Sequence, residues 1–153
     1  MENEELFEKC LKFVLKAEGG FVNHPNDLGG VTNKGVTQRT YNEYLIKKNR
    51  PAKSVKYITD AEVKEIFYKD YWLAANCHKM TPKFAALCFD TAVNMGVGRC
   101  GDFLRAAEWK YPEKFIEARK AKYYKFAENP TQKVFLQGWL NRLANLKEFI
   151  KSL

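Results

Sequence analysis

The chain has 153 residues, enough for one domain with a hydrophobic core and short for two. Apolar residues make up 46% of it and aromatic residues 14%, a composition that excludes a disordered protein. A formal charge of +8 draws it toward polyanions such as nucleic acid, an anionic membrane surface or an acidic wall polymer, with solubility alone as the competing reading.

The opening MENEELFEKC is acidic and carries no long apolar run, so neither a signal peptide nor a transmembrane segment is expected. Synthesis in a cytoplasm follows, with delivery by another agent if the protein acts elsewhere. Asn3 is placed to cap a first helix with the apolar stripe Leu6, Cys10, Phe13, Val14 and Ala17, ended by Gly19 and Gly20. Glu18 therefore falls where helix gives way to loop. Between Gly19 and Val36 the helical periodicity fails, and five of the nine glycines lie there. The pieces GFVN and GVTNKGVT around HPNDLGG predict a small β-hairpin or an irregular loop.

Thr37 predicts the cap of a second helix reaching about Lys48, and the basic RPAKSVK a connector. TDAE, from Thr59 to Glu62, reads as a capping box ahead of Val63, Ile66, Phe67, Tyr71 and Trp72. Thr81 and Pro82 open a helix that is apolar almost all round and stops at Gly96, the expected central buried helix. Further helices are expected from about Arg99 to Trp109, Pro112 to Glu128 and Pro130 to Ile150. The fold class is mainly α, with one β excursion after the first helix and no linker or repeat to divide the chain. Cys10, Cys77, Cys88 and Cys100 lack metal-site spacing and read as buried thiols, and His24 and His78 have no metal partners at useful spacing. No metal or cofactor is expected.

Long irregular loops inside compact domains usually serve function. Glycosidic hydrolysis needs an acid to protonate the leaving oxygen, and an inverting enzyme needs a second polar group to hold water on the opposite face. Glu18 suits the acid, because the negative end of a helix and a nearby Phe21 disfavour its ionised form. Asp27 and Thr32, on the returning loop, suit the water. The competing reading is a solvated helix end followed by turn residues.

The order of the segment resembles glycoside hydrolase family 108, the lysozyme-like muramidases also described as secretion activators. The matching residues are Glu18, Gly19, Gly20, Phe21, Val22, Asn23, Pro25, Asp27, Gly29, Gly30, Thr32, Asn33, Gly35, Val36 and Thr37. CFDTAVNMGVGRCGDFLRAAE and FLQGWLNRL resemble that family's middle and C-terminal stretches. Departures are His24, Leu28 and Val31, none of which touches Glu18, Asp27 or Thr32.

The resemblance implies a lysozyme-like fold and cleavage of the β-1,4 bond between N-acetylmuramic acid and N-acetylglucosamine, with Glu18 as the acid. It also implies an N-terminal hydrolase part over about 1–84 and a C-terminal peptidoglycan-binding part over about 85–153, expected to pack as one body with the cleft between them. Candidate substrate contacts are Phe21, Asn33 and Thr37 in the glycine-rich segment, Tyr71 and Trp72 as flat faces for sugar rings, and Asp90 with Asn94 one helical turn apart. A structural cap is the competing role for Asn94.

Partners implied are peptidoglycan glycan strands and a holin or secretion machinery for delivery from a bacterial cytoplasm to the wall. A monomer is expected. Alternatives are a non-catalytic wall-binding or secretion-assisting module and a lytic transglycosylase. A nucleic-acid binder rests on charge alone and lacks a reading helix or a basic-aromatic motif.

Overall fold

A computed structural model of the protein describes residues 2–19, 22–23 and 31–153. These form helices α1 (Asn3–Glu18), α2 (Gln38–Lys47), α3 (Asp60–Phe67), α4 (Pro82–Met95), α5 (Gly98–Ala106), α6 (Pro112–Phe126) and α7 (Leu136–Ile150). Between α1 and α2, strands β1 (Val22–Asn23), β2 (Val31–Asn33) and β3 (Val36–Thr37) make one antiparallel sheet in the order β1-β2-β3. The protein is mainly helical with a small β excursion after its first helix.

Several boundaries follow from local chemistry. The Thr37 side chain accepts a hydrogen bond from the Thr40 N–H and starts α2. Thr59 and Glu62 form a reciprocal capping box that starts α3. Pro82 occupies the first turn of α4, and Gly96 ends it at φ +96°.

Two elements differ from expectation. After α3 the backbone widens into a π-helical turn, Tyr68–Leu73, which changes the phase of the apolar stripe. The last helix starts at Leu136 rather than at Pro130, because Asn129 Oδ1 accepts from the N–H and hydroxyl of Thr131 and holds a turn in place of helix.

The chain divides into two compact units, Phe7–Asp70, and Met1–Leu6 with Tyr71–Leu153. The core of the first gathers Phe7, Cys10, Leu11 and Val14 of α1, Tyr41 and Leu45 of α2, Val55 and Ile58, and Val63, Ile66 and Phe67 of α3. Glu62 is a polar staple within it. Its Oε1 accepts from Tyr41 Oη (2.9 Å) and from the Thr59 N–H (3.0 Å).

The second unit is built on α4, in which every residue from Phe84 to Ala92 is buried. The expectation of a central buried helix holds. Trp72 packs edge-on against Phe89 with ring centroids 5.3 Å apart. The one acid in this buried run, Asp90, has no exposed surface and is clamped by two arginines. Arg119, also fully buried, donates from Nη2 to Asp90 Oδ2 at 2.7 Å, and Arg142 donates from Nη2 to Asp90 Oδ1 at 2.8 Å. Arg119 further donates to Thr91 Oγ1 (3.1 Å) and Tyr123 Oη (2.8 Å), so its guanidinium is satisfied. All four cysteines are buried. Among the described residues no helix is long and apolar enough to cross a membrane.

Burial pushes the Asp90 carboxyl up, and Arg119 and Arg142 more than offset this, so its pKa lies below the ordinary aspartate value. A carboxylate held down in the folded chain contributes stability that is complete above its unfolded pKa of about 3.9 and is lost as pH falls through the lower folded value. Asp90→Asn leaves two guanidiniums facing a neutral amide and is expected to cost about 3–5 kcal/mol. Urea denaturation at pH 7 measures that loss. The same titration repeated below about pH 4 should show a shallower pH dependence in the variant than in the parent chain.

Candidate active site

Glu18 is the last residue of α1 and is half-buried. The strands that follow place Val36 in the core but are only two or three residues long, so their position needs further anchors. The first is the turn joining β2 to β3. Lys34 and Gly35 have φ of +53° and +79°, the pair of positive values that a two-residue hairpin turn of type I′ requires.

The second anchor is a close approach. A Cβ placed on Gly35 would lie 3.0 Å from Phe67 Cζ and 3.2 Å from Glu18 Cγ. The hairpin therefore lies directly against the stem of Glu18, with the wall of α3 behind it. Only glycine combines this backbone angle with this spacing.

The third anchor is polar. Asn33, buried, donates its amide protons to the carbonyls of Val55 and Lys56, each at 3.2 Å. Gln38 continues the seam, donating to the Lys53 carbonyl (2.9 Å) and accepting from the Val55 N–H (2.7 Å). Lys34 pairs with Asp60 at 2.6 Å, but Asp60 is almost fully exposed, so this pair contributes little.

Successive side chains of a strand face opposite sides. With Asn33 turned toward the 55–57 turn, Thr32 faces the other way. Its Cα partners are Val22 and Thr37 on the flanking strands. The Thr32 hydroxyl oxygen is buried and has no hydrogen-bond partner among the described residues. A buried hydroxyl ordinarily has one, so this is the polar group of the hairpin with capacity to spare.

The remaining sequence candidates sort by burial. Phe21 and Asp27 lie outside the described residues. Thr37 spends its side chain capping α2. Asn33 is a seam residue rather than a substrate contact, because its amide protons are donated to backbone carbonyls. Trp72 is corrected from a sugar-stacking face to a core residue, since it has no exposed surface and its Nε1–H is donated to Asn3 Oδ1 at 3.0 Å.

Asp90 is likewise corrected to a structural ion pair, sealed between Arg119 and Arg142. Asn94, half-buried, accepts through Oδ1 from Tyr123 Oη, a side-chain bond to α6 in place of the expected helix cap. Tyr71 is half-buried. Sequence reasoning missed Phe67 as the wall behind the hairpin and Gln38 as a seam residue. NKG between extended residues is the signal that marks the turn, whereas nothing local identifies Phe67. Among the described residues no group of three or more His, Cys, Asp or Glu side chains is arranged to hold a metal ion.

Gly35→Ala is expected to destabilise the chain by about 1–3 kcal/mol through backbone strain and overlap with Phe67 and Glu18. Thermal denaturation measures the loss. Gly98→Ala, at a helical glycine with open space around it, should be tolerated in the same assay.

The architecture recurs in a solved structure. That of Brucella abortus SagA superposes with a TM-score of 0.77, over 97% of this chain and 95% of that one, at 22% sequence identity. The chain thus has a lysozyme-like helical fold. No curated protein matches the sequence as a relative. The family model for glycosyl hydrolase 108 matches residues 11–96, more than half of the chain and the whole stretch that carries Glu18, the hairpin and the capping-box helix. The chain belongs to the glycosyl hydrolase 108 family, and its reaction class is glycoside hydrolysis.

Proposed function

We propose that this glycoside hydrolase is an N-acetylmuramidase, cleaving the β-1,4 bond from N-acetylmuramic acid to N-acetylglucosamine in peptidoglycan. Glu18 is the general acid, and Asp27 with Thr32 positions the attacking water for inversion. The observation that carries the reading is the packing of Glu18 against the hairpin at Gly35, together with the unspent Thr32 hydroxyl two strand positions before the turn. An acid must be held still at the scissile oxygen, and the tight Gly35 contact restricts its stem. A water poised for attack needs acceptors and donors that the fold has not consumed, which Thr32 offers. The charge of +8 suits a wall polymer rich in carboxylates and phosphates.

Glu18→Gln should fold as the parent does and lose about 10²–10⁴ in the rate of muropeptide release, the share a general acid supplies. Full activity in that variant sinks the assignment. Thr32→Val keeps the shape of the side chain and removes the hydroxyl. It should lower kcat by about tenfold, while sedimentation with purified sacculi is retained. Inversion at a β-linkage releases the α-anomer first, so proton NMR of a short glycan digest, read before mutarotation, should show α before β. The opposite order means retention.

A further inference from the structure

A concave site lies in the unit Phe7–Asp70, between α2, the segment 50–59 and α3. It is about 470 Å³ in volume, and its lining includes Tyr44, Arg50, Lys53, Thr59, Glu62 and Glu65. Its carboxylates are committed. Lys48 and Tyr44, with Lys69, hold the Glu65 carboxyl down at about 2, and the Tyr44 hydroxyl donates to it at 2.7 Å. Glu62 takes Tyr41 and Thr59 on Oε1, as described above.

The cations are engaged only in part, both acting on Glu62, and keep donors to spare. Arg50 is half-exposed and extends Nη1 alone to Tyr44 Oη and Glu62 Oε2, both at the long distance of 3.4 Å. Its Cζ sits 5.8 Å from the centroid of the Tyr44 ring, within cation–π range. The rest of the fork has no hydrogen-bond partner among the described residues. Lys53 is exposed, and its backbone is fixed through the carbonyl that Gln38 engages. Its ammonium makes no hydrogen bond or ion pair among the described residues. A guanidinium held at one nitrogen over an aromatic ring presents its free edge as a match for a carboxylate.

We infer that this groove binds the carboxylate end of a peptide, with Arg50 and Lys53 taking the charge. The inference rests on the muramidase reading for the carrier of that peptide, the stem attached to the glycan. Two fixed carboxylates in the lining oppose a phosphate dianion more than a single carboxylate, which favours the peptide over a phosphate polymer. The seam from Asn33 and Gln38 to residues 53–56 joins this groove to the hairpin beside Glu18. Stem binding and positioning of the catalytic hairpin are therefore built on one continuous set of hydrogen bonds.

The test titrates the isotope-labelled full chain with N-acetyl-D-alanyl-D-alanine and, separately, with its C-terminal amide, following backbone amide shifts by NMR. The free acid should move Tyr44, Arg50, Lys53 and Glu62, and the amide should not. Arg50→Gln should weaken binding by at least about tenfold, with Lys53→Gln, an exposed position, as a second variant if the first is poorly folded. Equal binding of acid and amide, shifts confined to other residues, or tighter binding of glycerol phosphate at the same amides overturns the proposal. Glu18→Gln should bind the free acid as the parent does. Loss of lysis in that variant reports on the muramidase reading, and loss of carboxylate-dependent shifts reports on the groove.

Discussion

The packing around Glu18 depends on a backbone that passes within contact distance of it. At Gly35 there is no space for a Cβ between Glu18 and Phe67, and the φ of +79° is one that other residues adopt only at a cost. Three elements meet at this point: the end of α1, the β2–β3 turn and the last residue of α3. The turn at Gly35 is thus packed on both sides, by Phe67 and by the stem of Glu18.

Strands of two or three residues cannot hold such a contact by hydrophobic burial alone. Polar groups complete it. Asn33 and Gln38 bind the backbone of residues 53–56, and the Thr59–Glu62 capping box fixes the start of α3 while Glu62 draws in Tyr41. Asn33, Gln38, Tyr41 and Glu62 are buried or half-buried and satisfied, so the hairpin is specified by hydrogen-bond geometry. The same economy appears in the other unit, where a single aspartate on an apolar helix organises two arginines, a threonine and a tyrosine.

What could be read from sequence was what is decided locally. Thr37, Thr59 with Glu62, Pro82 and Gly96 mark helix ends because their partners lie within four residues. Glu18 at a helix end and a hairpin around NKG were legible for the same reason. Trp72 and Asp90 were not, because what buries them comes from far along the chain: Asn3 meets Trp72 from 69 residues away, and Arg142 meets Asp90 from 52. An aromatic pair closing a helix, or an acid on an apolar face, looks the same in sequence whether it lines a cleft or seals a core. The π-helical turn at Tyr68–Leu73 adds a phase shift that a regular helical wheel does not anticipate. Asn33 illustrates the converse, a motif residue whose value lies in holding the hairpin.

In the proposed reaction Glu18 gives up a proton and a water attacks the sugar. Digestion of purified peptidoglycan in ¹⁸O-labelled water, followed by mass spectrometry of the released muropeptides, tests this most directly. The account predicts reducing N-acetylmuramic acid ends that carry one labelled oxygen, produced by the parent chain and not by Glu18→Gln. Fragments ending in 1,6-anhydro sugar, one water lighter and unlabelled, would contradict it, as would the absence of any soluble fragment.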